Sequence, residues 1–342
     1  MSTETSIGQQ LDGFRKDFDT LRREIGKAVV GQEAVVDGIL TAVVTGGHTL
    51  IEGVPGLGKT LLVETLAQVV KLTFQRVQFT PDLMPSDLMG TYVVMETPEG
   101  RRTFEFQKGP IFSHIVLADQ INRGTPKTQS ALLEAMEGQA ISVANETFDL
   151  PQPFFVLATQ NPLEMEGTFP LPEPEIDRFL FKLRVTPPTA EQIEAILDRT
   201  TEGEPPVVTK VVDGRRILEM REIARRVPID VNLRRQGIAM VALTHPDNDR
   251  APQSVRRHVR YGSSPRGAQA LILGAKVHAI LAGRGEVSEQ DLRAIAPAAL
   301  RHRIILNFEG QADAVQTDQI VDEIVSQVFG AKGKADVPAV NP

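Results

Sequence analysis

Apolar residues at Ile7, Leu11, Phe14, Phe18, Leu21 and Ile25 recur at alternating spacings of four and three. That rhythm lines one side of an amphipathic helix and predicts that residues 1–28 dock on the domain that follows. Val29-Val30-Gly31-Gln32 breaks the pattern and leads into a second helix, Glu33 to Val44. Thr49-Leu50-Ile51 is apolar and strand-like, Leu61 to Ala67 favours helix, and Phe74 to Phe79 alternates with period two, as a half-buried strand does. Residues 91–106 read as a hairpin turning at Thr97-Pro98-Glu99-Gly100, an insertion with a task of its own. Ile115 to Ala118 is an apolar run consistent with a central parallel strand, and it ends in Asp119-Gln120. Thr125 as N-cap, Pro126 at the first helical position and Gly138 after the last turn bracket a helix of about 12 residues. Phe154 to Thr159 predicts another strand, ending at Gln160-Asn161, and Phe179 to Val185 a fifth.

Thr186-Pro187-Pro188-Thr189 marks a domain boundary. From Glu191 onward the pattern is helical, with polar breaks at 201–208, 245–254 and 283–288. Ser264-Pro265-Arg266 opens a helix with an N-cap serine and a first-turn proline, which puts Arg266 in the first turn. Ala331 to Pro342 has few apolar anchors and is expected to be loose.

The chemistry concentrates between Gly53 and Thr60. Gly-Val-Pro-Gly-Leu-Gly-Lys-Thr satisfies G-x-x-x-x-G-K-[ST], with a strand before it and a helix after it, as a phosphate loop requires. Glycines at 53, 56 and 58 permit torsions and close approaches that let consecutive N–H groups point at a polyphosphate. The helix that follows presents its N-terminus to the same charge. Lys59 is expected to reach the β- and γ-phosphates, and the Thr60 hydroxyl to ligate Mg²⁺. The rest of the loop, Val54, Pro55, Gly56, Leu57, Gly58 and the following Leu61, belongs to the same nucleotide-binding set. Ligands of open α/β sheets sit beyond the carboxyl ends of the strands, so Asp119 is the candidate to hold the Mg²⁺, through water.

Composition narrows the remaining classes. The 342 residues suggest two domains or so, and the 41% apolar and 24% charged fractions are those of a globular chain. With no cysteine there is neither a disulfide nor a thiolate metal site, and the six histidines lack the spacing of a zinc enzyme. Asp247-Asn248-Asp249 resembles the start of a calcium loop, but Pro252 stands where its glycine belongs. No apolar run reaches membrane-spanning length, and Met1 to Thr5 lacks the features of a signal peptide, so a soluble cytoplasmic protein is expected. The net charge of −7 offers nucleic acid and anionic lipid no global attraction. The densest basic patch, Arg256-Arg257-His258 with Arg260, reads as a solvated helical face or a subunit contact.

Taken together, these stretches resemble the MoxR-type AAA+ ATPases. The resemblance is carried by Gly53 to Thr60, Gln78 to Asp82 with Pro85-Ser86-Asp87, Gly109 to Phe112, Leu117-Ala118-Asp119 through Ile121-Asn122-Arg123, and Pro126 to Glu137. It continues in Ala158 to Pro162, Asp177-Arg178-Phe179, Ser264-Pro265-Arg266 and Leu300 to Arg303, in family order over roughly residues 20–310. It implies an α/β fold: an αβα sandwich on a five-stranded parallel sheet, then an all-helical lid. The expected division is an N-terminal helix at 1–28, a nucleotide-binding core at 29–186 carrying the helix-2 insert at 91–106, a lid at 187–330 and a loose tail at 331–342. It implies ATP and Mg²⁺ at the interfaces of a homo-oligomeric, hexameric ring. On that template Gly31 and Gln32 lie near the adenine and Asn161 corresponds to sensor 1. Arg178 is similar to the arginine finger that reaches a neighbour's site. Arg266 is similar to the sensor 2 arginine, which couples the lid to the phosphates. Such proteins act as chaperones on protein clients, often with a partner bearing a von Willebrand factor A domain.

One position departs. Where the family has Asp-Glu, this chain has Asp119-Gln120. An amide can hydrogen-bond water but cannot take its proton, and losing a general base costs about 10²–10⁴ in rate. The expectation is a chain that binds Mg²⁺-ATP and hydrolyses it very slowly, whether Gln120 is engineered or natural. Two alternatives stand beside it. One is a nucleotide-gated binding scaffold to which Gln120 is native. The other is a helicase-like DNA motor, which the acidic hairpin tip ahead of Arg101-Arg102 and the want of an aromatic stacking platform disfavour.

Overall fold

The N-terminal stripe forms one helix, α1 (Ser2–Ala28). Its Phe14, Phe18, Leu21 and Ile25 are fully buried, and Leu11 packs at the margin of the core. Ile7 is 53% exposed, so docking begins a turn later than the periodicity predicts. The computed structural model describes residues 2–54, 56–96, 102–144, 146–162, 167–201 and 206–330, with side chains from residue 7 onward. Pro55 of the glycine-rich loop, the hairpin turn at 97–100 with Arg101, and the tail at 331–342 lie outside the described residues.

After α2 (Glu33–Thr45), closed by Gly46 at φ 80°, come β1 (Thr49–Glu52), α3 (Lys59–Val69), β2 (Val70–Lys71) and β3 (Phe74–Gln78). The insertion follows as α4 (Pro85–Met89) with a hairpin of β4 (Gly90–Glu96) and β5 (Arg102–Lys108) in full antiparallel register. Then come β6 (Ile115–Asp119), a 3-10 turn at Ile121–Arg123 and α5 (Pro126–Gly138). Thr125 caps α5 by accepting from Thr128 N, as its sequence predicts. Gly138 stays helical, and Gln139 takes the left-handed φ of 50° that ends the helix.

A second hairpin, β7 (Ala140–Val143) and β8 (Glu146–Asp149), was not foreseen from the sequence. Its Phe148 stacks on Phe106 of β5 at 4.4 Å between ring centroids. Phe112 meets both rings edge-on, and Tyr92 donates to Glu146 at 2.7 Å. The two hairpins are therefore one aromatic-seated unit.

The chain then adds β9 (Phe155–Gln160), the short α6 (Glu173–Ile176) and β10 (Phe181–Arg184). The five main strands pair in parallel in the order β10–β1–β9–β6–β3. Successive side chains of a strand point to opposite faces, and here both faces are covered. Ile51, Leu117 and Leu157 join one core with α1, α2 and α3, while Leu50, Val116 and Val156 join a second with Leu132 and Leu133 of α5.

The remaining elements are α7 (Ala190–Thr201), β11 (Val212–Asp213), α8 (Gly214–Arg226), α9 (Val231–Ala242), α10 (Gln253–His258), β12 (Val259–Tyr261), α11 (Pro265–Leu281), α12 (Glu289–Leu300), β13 (Ile305–Leu306), α13 (Phe308–Ala312) and α14 (Thr317–Gly330). This region is helical apart from small strand pairings: β11 lies parallel to β2, and β12 antiparallel to β13. Met220, Leu271, Leu292 and Ile320 from these helices belong to the same continuous core as α1 and α2. No helix among the described residues is long and apolar enough to cross a membrane.

Candidate functional site

Strand β1 carries the chain, buried on both faces, to the glycine-rich loop at its carboxyl end. Gly56 and Gly58 sit at φ 82° and 73°, where a side chain would be strained although space is open. Gly53 has the other reason for being glycine: a Cβ there would lie 3.0 Å from Val185 Cβ. Gly58 is the N-cap of α3 and supplies no side-chain acceptor, so the first-turn N–H groups and the helix dipole are presented to whatever the loop surrounds. Lys59 Nζ folds over its own loop and donates to Gly53 O at 2.5 Å and Val54 O at 2.8 Å.

A cavity of about 230 Å³ opens here, lined by Gly56 to Thr60, Asp119, Gln120 and Thr159 to Asn161. Residues more than a hundred positions apart thus converge because β1, β9 and β6 are neighbours in the sheet. Asp119 is buried at the end of β6, and both its oxygens are engaged. Oδ1 accepts from Thr159 Oγ1 at 2.7 Å, and Oδ2 accepts from Arg76 Nε at 3.1 Å and Nη2 at 2.6 Å. Gln120 adopts a left-handed conformation, φ 54° and ψ 54°. Its backbone N–H donates to Thr159 Oγ1 at 2.8 Å, and its Oε1 accepts from Gln78 at 3.1 Å and Arg123 at 3.2 Å. Asn161 is buried in the same cavity wall.

A hydroxyl and a carboxylate are the hard oxygen donors that Mg²⁺ prefers. Thr60 and Asp119 line the same cavity, and the guanidinium on Asp119 Oδ2 shows a cation already standing where the buried carboxylate's charge calls for one, so the pair fits the ion.

On its other side the loop borders an apolar recess of about 150 Å³, where Gly56, Leu57, Gly58 and Leu61 meet Val29, Gln32, Pro188 and Ile196. Gln32 is fixed by donating to Thr186 O at 3.0 Å. Gly31, at φ 73°, lies against the Gln192 carboxamide. One loop therefore separates a polar chamber from an apolar one, the arrangement a nucleotide's phosphates and base require.

Arg178 and Arg266 are elsewhere. They line a cavity of about 180 Å³ with His48, Met136 and Glu137. Glu137 accepts from Arg266 at 2.5 Å and pairs with Arg178 at 3.3 Å. His48 immediately precedes β1 and the loop of Lys59 follows its far end, so these arginines and the phosphate loop stand at opposite ends of one strand. Arg266 is thus not brought to its own chain's loop. What fixes this end is Asp177, which accepts from Arg303 at 2.8 Å and from Ser264, the N-cap of α11, at 2.7 Å. Arg303, buried, also reaches the carbonyls of Phe179 and Leu180. His48 Nδ1 accepts from Val156 N–H at 2.9 Å, so its proton is on Nε2, facing Met136 O. Burial pushes its pKa down to about 4.

Arg76, Gln78, Arg123, Thr159 and Glu137 were missed as site residues. Four of them lie inside or beside stretches that carry the family resemblance; the sheet order and register, which set Gln78 opposite Asp119 and β9 beside β6, bring Arg76, Gln78 and Thr159 to the acid. One more group of possible metal ligands gathers among the described residues, His258, Glu309 and Asp313. Arg257 already lies 2.5 Å from Glu309 and supplies that cluster's positive charge.

The family described as "ATPase family associated with various cellular activities (AAA)" matches residues 48–181, and the AAA lid domain matches residues 253–324. The chain is 38% identical to Chaperone MoxR1 of Mycobacterium tuberculosis, over 93% of this chain and 84% of that one. It is 30% identical to Protein MoxR of Methylorubrum extorquens, over 96% and 98% of the two chains. The crystal structure of a candidate ATPase from Cytophaga hutchinsonii superposes with a TM-score of 0.87 at 39% identity, over 96% of this chain and 98% of that one. With the phosphate loop, the acid-tipped β6 and the sheet order on which both stand, these likenesses make the chain a member of the MoxR family of AAA+ ATPases.

Proposed function

We propose that this chain is a chaperone-like remodelling ATPase that binds Mg²⁺-ATP between the subunits of a hexameric, head-to-tail ring, and that Gln120 makes its turnover slow. The observation that carries this is the division of the site between two ends of β1. Lys59, Thr60, Asp119, Gln120 and Asn161 share one cavity, and Arg178 and Arg266 share another. A site so split is completed by a second copy, and heterologous contacts of that kind make a ring when the rotation between copies closes.

In this scheme the amides of residues 53–60 cradle the phosphates, Lys59 leaves its loop carbonyls for the β- and γ-phosphates, and the recess beside Gly31, Gln32 and Leu61 takes the adenine. Thr60 and Asp119 hold Mg²⁺, which when bound offsets the phosphates' negative charge. Asn161 orients the attacking water, and Gln120 can only hydrogen-bond it. Arg178 and Arg266 serve the preceding subunit's phosphates. Residues 29–186 act as the nucleotide-binding core, 187–330 as the lid and 91–106 as the moving insert. The partner is a protein with a von Willebrand factor A domain, working with this chain on protein clients in the cytoplasm.

The test is phosphate release by the Gln120→Glu chain against a Lys59→Ala background. Activity above that background is expected. None would leave the nucleotide-gated scaffold as the better description.

A further inference from the structure

We propose that Arg76 is the resident counter-cation of the metal site, holding Asp119 until Mg²⁺ displaces it, and so sets how much Mg²⁺ the site needs. This rests on the assignment of the cavity to Mg²⁺ and nucleotide made above.

The geometry is specific. Asp119 is only 7% exposed, and a buried carboxylate without compensating charge is costly. Thr159 satisfies one oxygen with a neutral hydroxyl, leaving the other for a cation. Arg76 provides it with two nitrogens on that single oxygen. The guanidinium is aimed by its own strand: Nη2 also donates to Gln78 Oε1 at 2.6 Å, and Gln78 passes the link to Gln120. In the register of β3 on β6, Arg76 stands opposite Leu117 and Gln78 opposite Asp119. The long side chain therefore runs along the sheet to reach an acid two positions ahead.

The same side chain is 43% exposed and can swing into water without leaving a void. A divalent cation held at Asp119, directly or through water, repels a guanidinium paired with the same carboxylate, so the two occupy the site in turn. The exchange has a second consequence. With Arg76 in place, the wall facing the phosphates carries no uncompensated negative charge, and nucleotide can enter before its metal.

The experiment measures binding of a non-hydrolysable ATP analogue to the full chain by calorimetry, in EDTA and across an Mg²⁺ titration. Arg76→Met keeps the apolar stem and removes the charge. The Mg²⁺ concentration at half-effect is expected to fall roughly tenfold, the weight of one competing charge-assisted hydrogen bond, while affinity in EDTA weakens. Shifts of opposite sign are not produced by general damage. An unchanged or raised Mg²⁺ requirement, or an undiminished affinity in EDTA, in a variant that melts like the parent overturns the proposal. Should the methionine variant not fold, Arg76→Lys is expected to shift both quantities the same way by less, and no shift overturns it equally. If the parent chain binds no analogue with or without Mg²⁺, the nucleotide assignment itself has failed, a separate result.

Discussion

Arg178 and Arg266 share one carboxylate: Glu137 takes Arg266 on one oxygen at 2.5 Å and Arg178 on the other at 3.3 Å. Glu137 is half exposed, and an ion pair so open to solvent contributes well under about 1 kcal/mol. A phosphate, with more charge and more acceptor oxygens, would draw both guanidinia from it.

The first expectation concerns where those arginines act. In a chain carrying Gln120→Glu, Arg178→Ala should lower turnover by about 10³-fold or more, the scale of an arginine finger. Arg266→Ala should lower it too, and neither should change the ADP affinity of the isolated chain. Mixing the Arg178→Ala chain with Lys59→Ala chains should restore part of the activity, since each supplies what the other lacks. Calorimetry and a coupled phosphate assay decide it. Loss of ADP affinity in the Arg266→Ala chain would put that residue at its own chain's nucleotide.

Gln120→Glu alone should raise the rate by about 10²–10⁴, a barrier roughly 3–5 kcal/mol lower. Its left-handed backbone and its partners Gln78 and Arg123 can accept a carboxylate as they do the amide. ATP affinity should therefore stay as it was, and single-turnover kinetics would separate the two quantities. A rate unmoved by the carboxylate would mean that residue 120 is not the limiting group.

His48 predicts a pH dependence of stability. Its pKa falls from 6.5 to about 4 on folding, so below the unfolded value the unfolded chain binds a proton that the folded chain refuses. Stability from this residue is whole above about pH 6.5 and is lost progressively as pH falls toward 4, by about 3 kcal/mol at the end. Buried His302, whose pKa is also lowered by burial, adds in the same direction. Urea unfolding between pH 4.5 and 7.5 should show the slope, and His48→Asn should flatten it. A slope unaltered by that substitution would assign the protons elsewhere.

The two hairpins should loosen together. Phe148→Ala removes the ring stacked on Phe106 and should cost about 2–4 kcal/mol, felt mainly in the two hairpins that share the ring. Hydrogen exchange should speed in β4 and β5 while β6, buried on both faces, keeps its protection. Equal deprotection of β6 would show that the insertion is part of the main core.

What could be read from the sequence was what the chain keeps local. Gly53 to Thr60 is contiguous, so its torsional needs, its lysine and its following helix are all visible in one window. Asp119 ends an apolar run consistent with a central strand. The sequence hides what the sheet brings together. Arg76 meets its acid across 43 positions, and nothing in the alternation of β3 marks it out from a surface arginine. The β7 and β8 strands have four residues each, too few to display a period. Arg266 was legible as a first-turn residue of α11, but its distance from the loop depends on how α11 seats on Asp177, a tertiary contact.

Strand β1 has only four residues, yet it joins the loop at one end to His48, which lines the arginines' cavity, at the other, and so links the two halves of the proposed site. Hydrogen-bonded on both edges, it is braced by its neighbours. In a closed ring each such strand would work as a stiff push-rod. Occupancy in one seat would be felt by the next in a single rotational sense, and firing order around the circle would follow from carpentry rather than from chance.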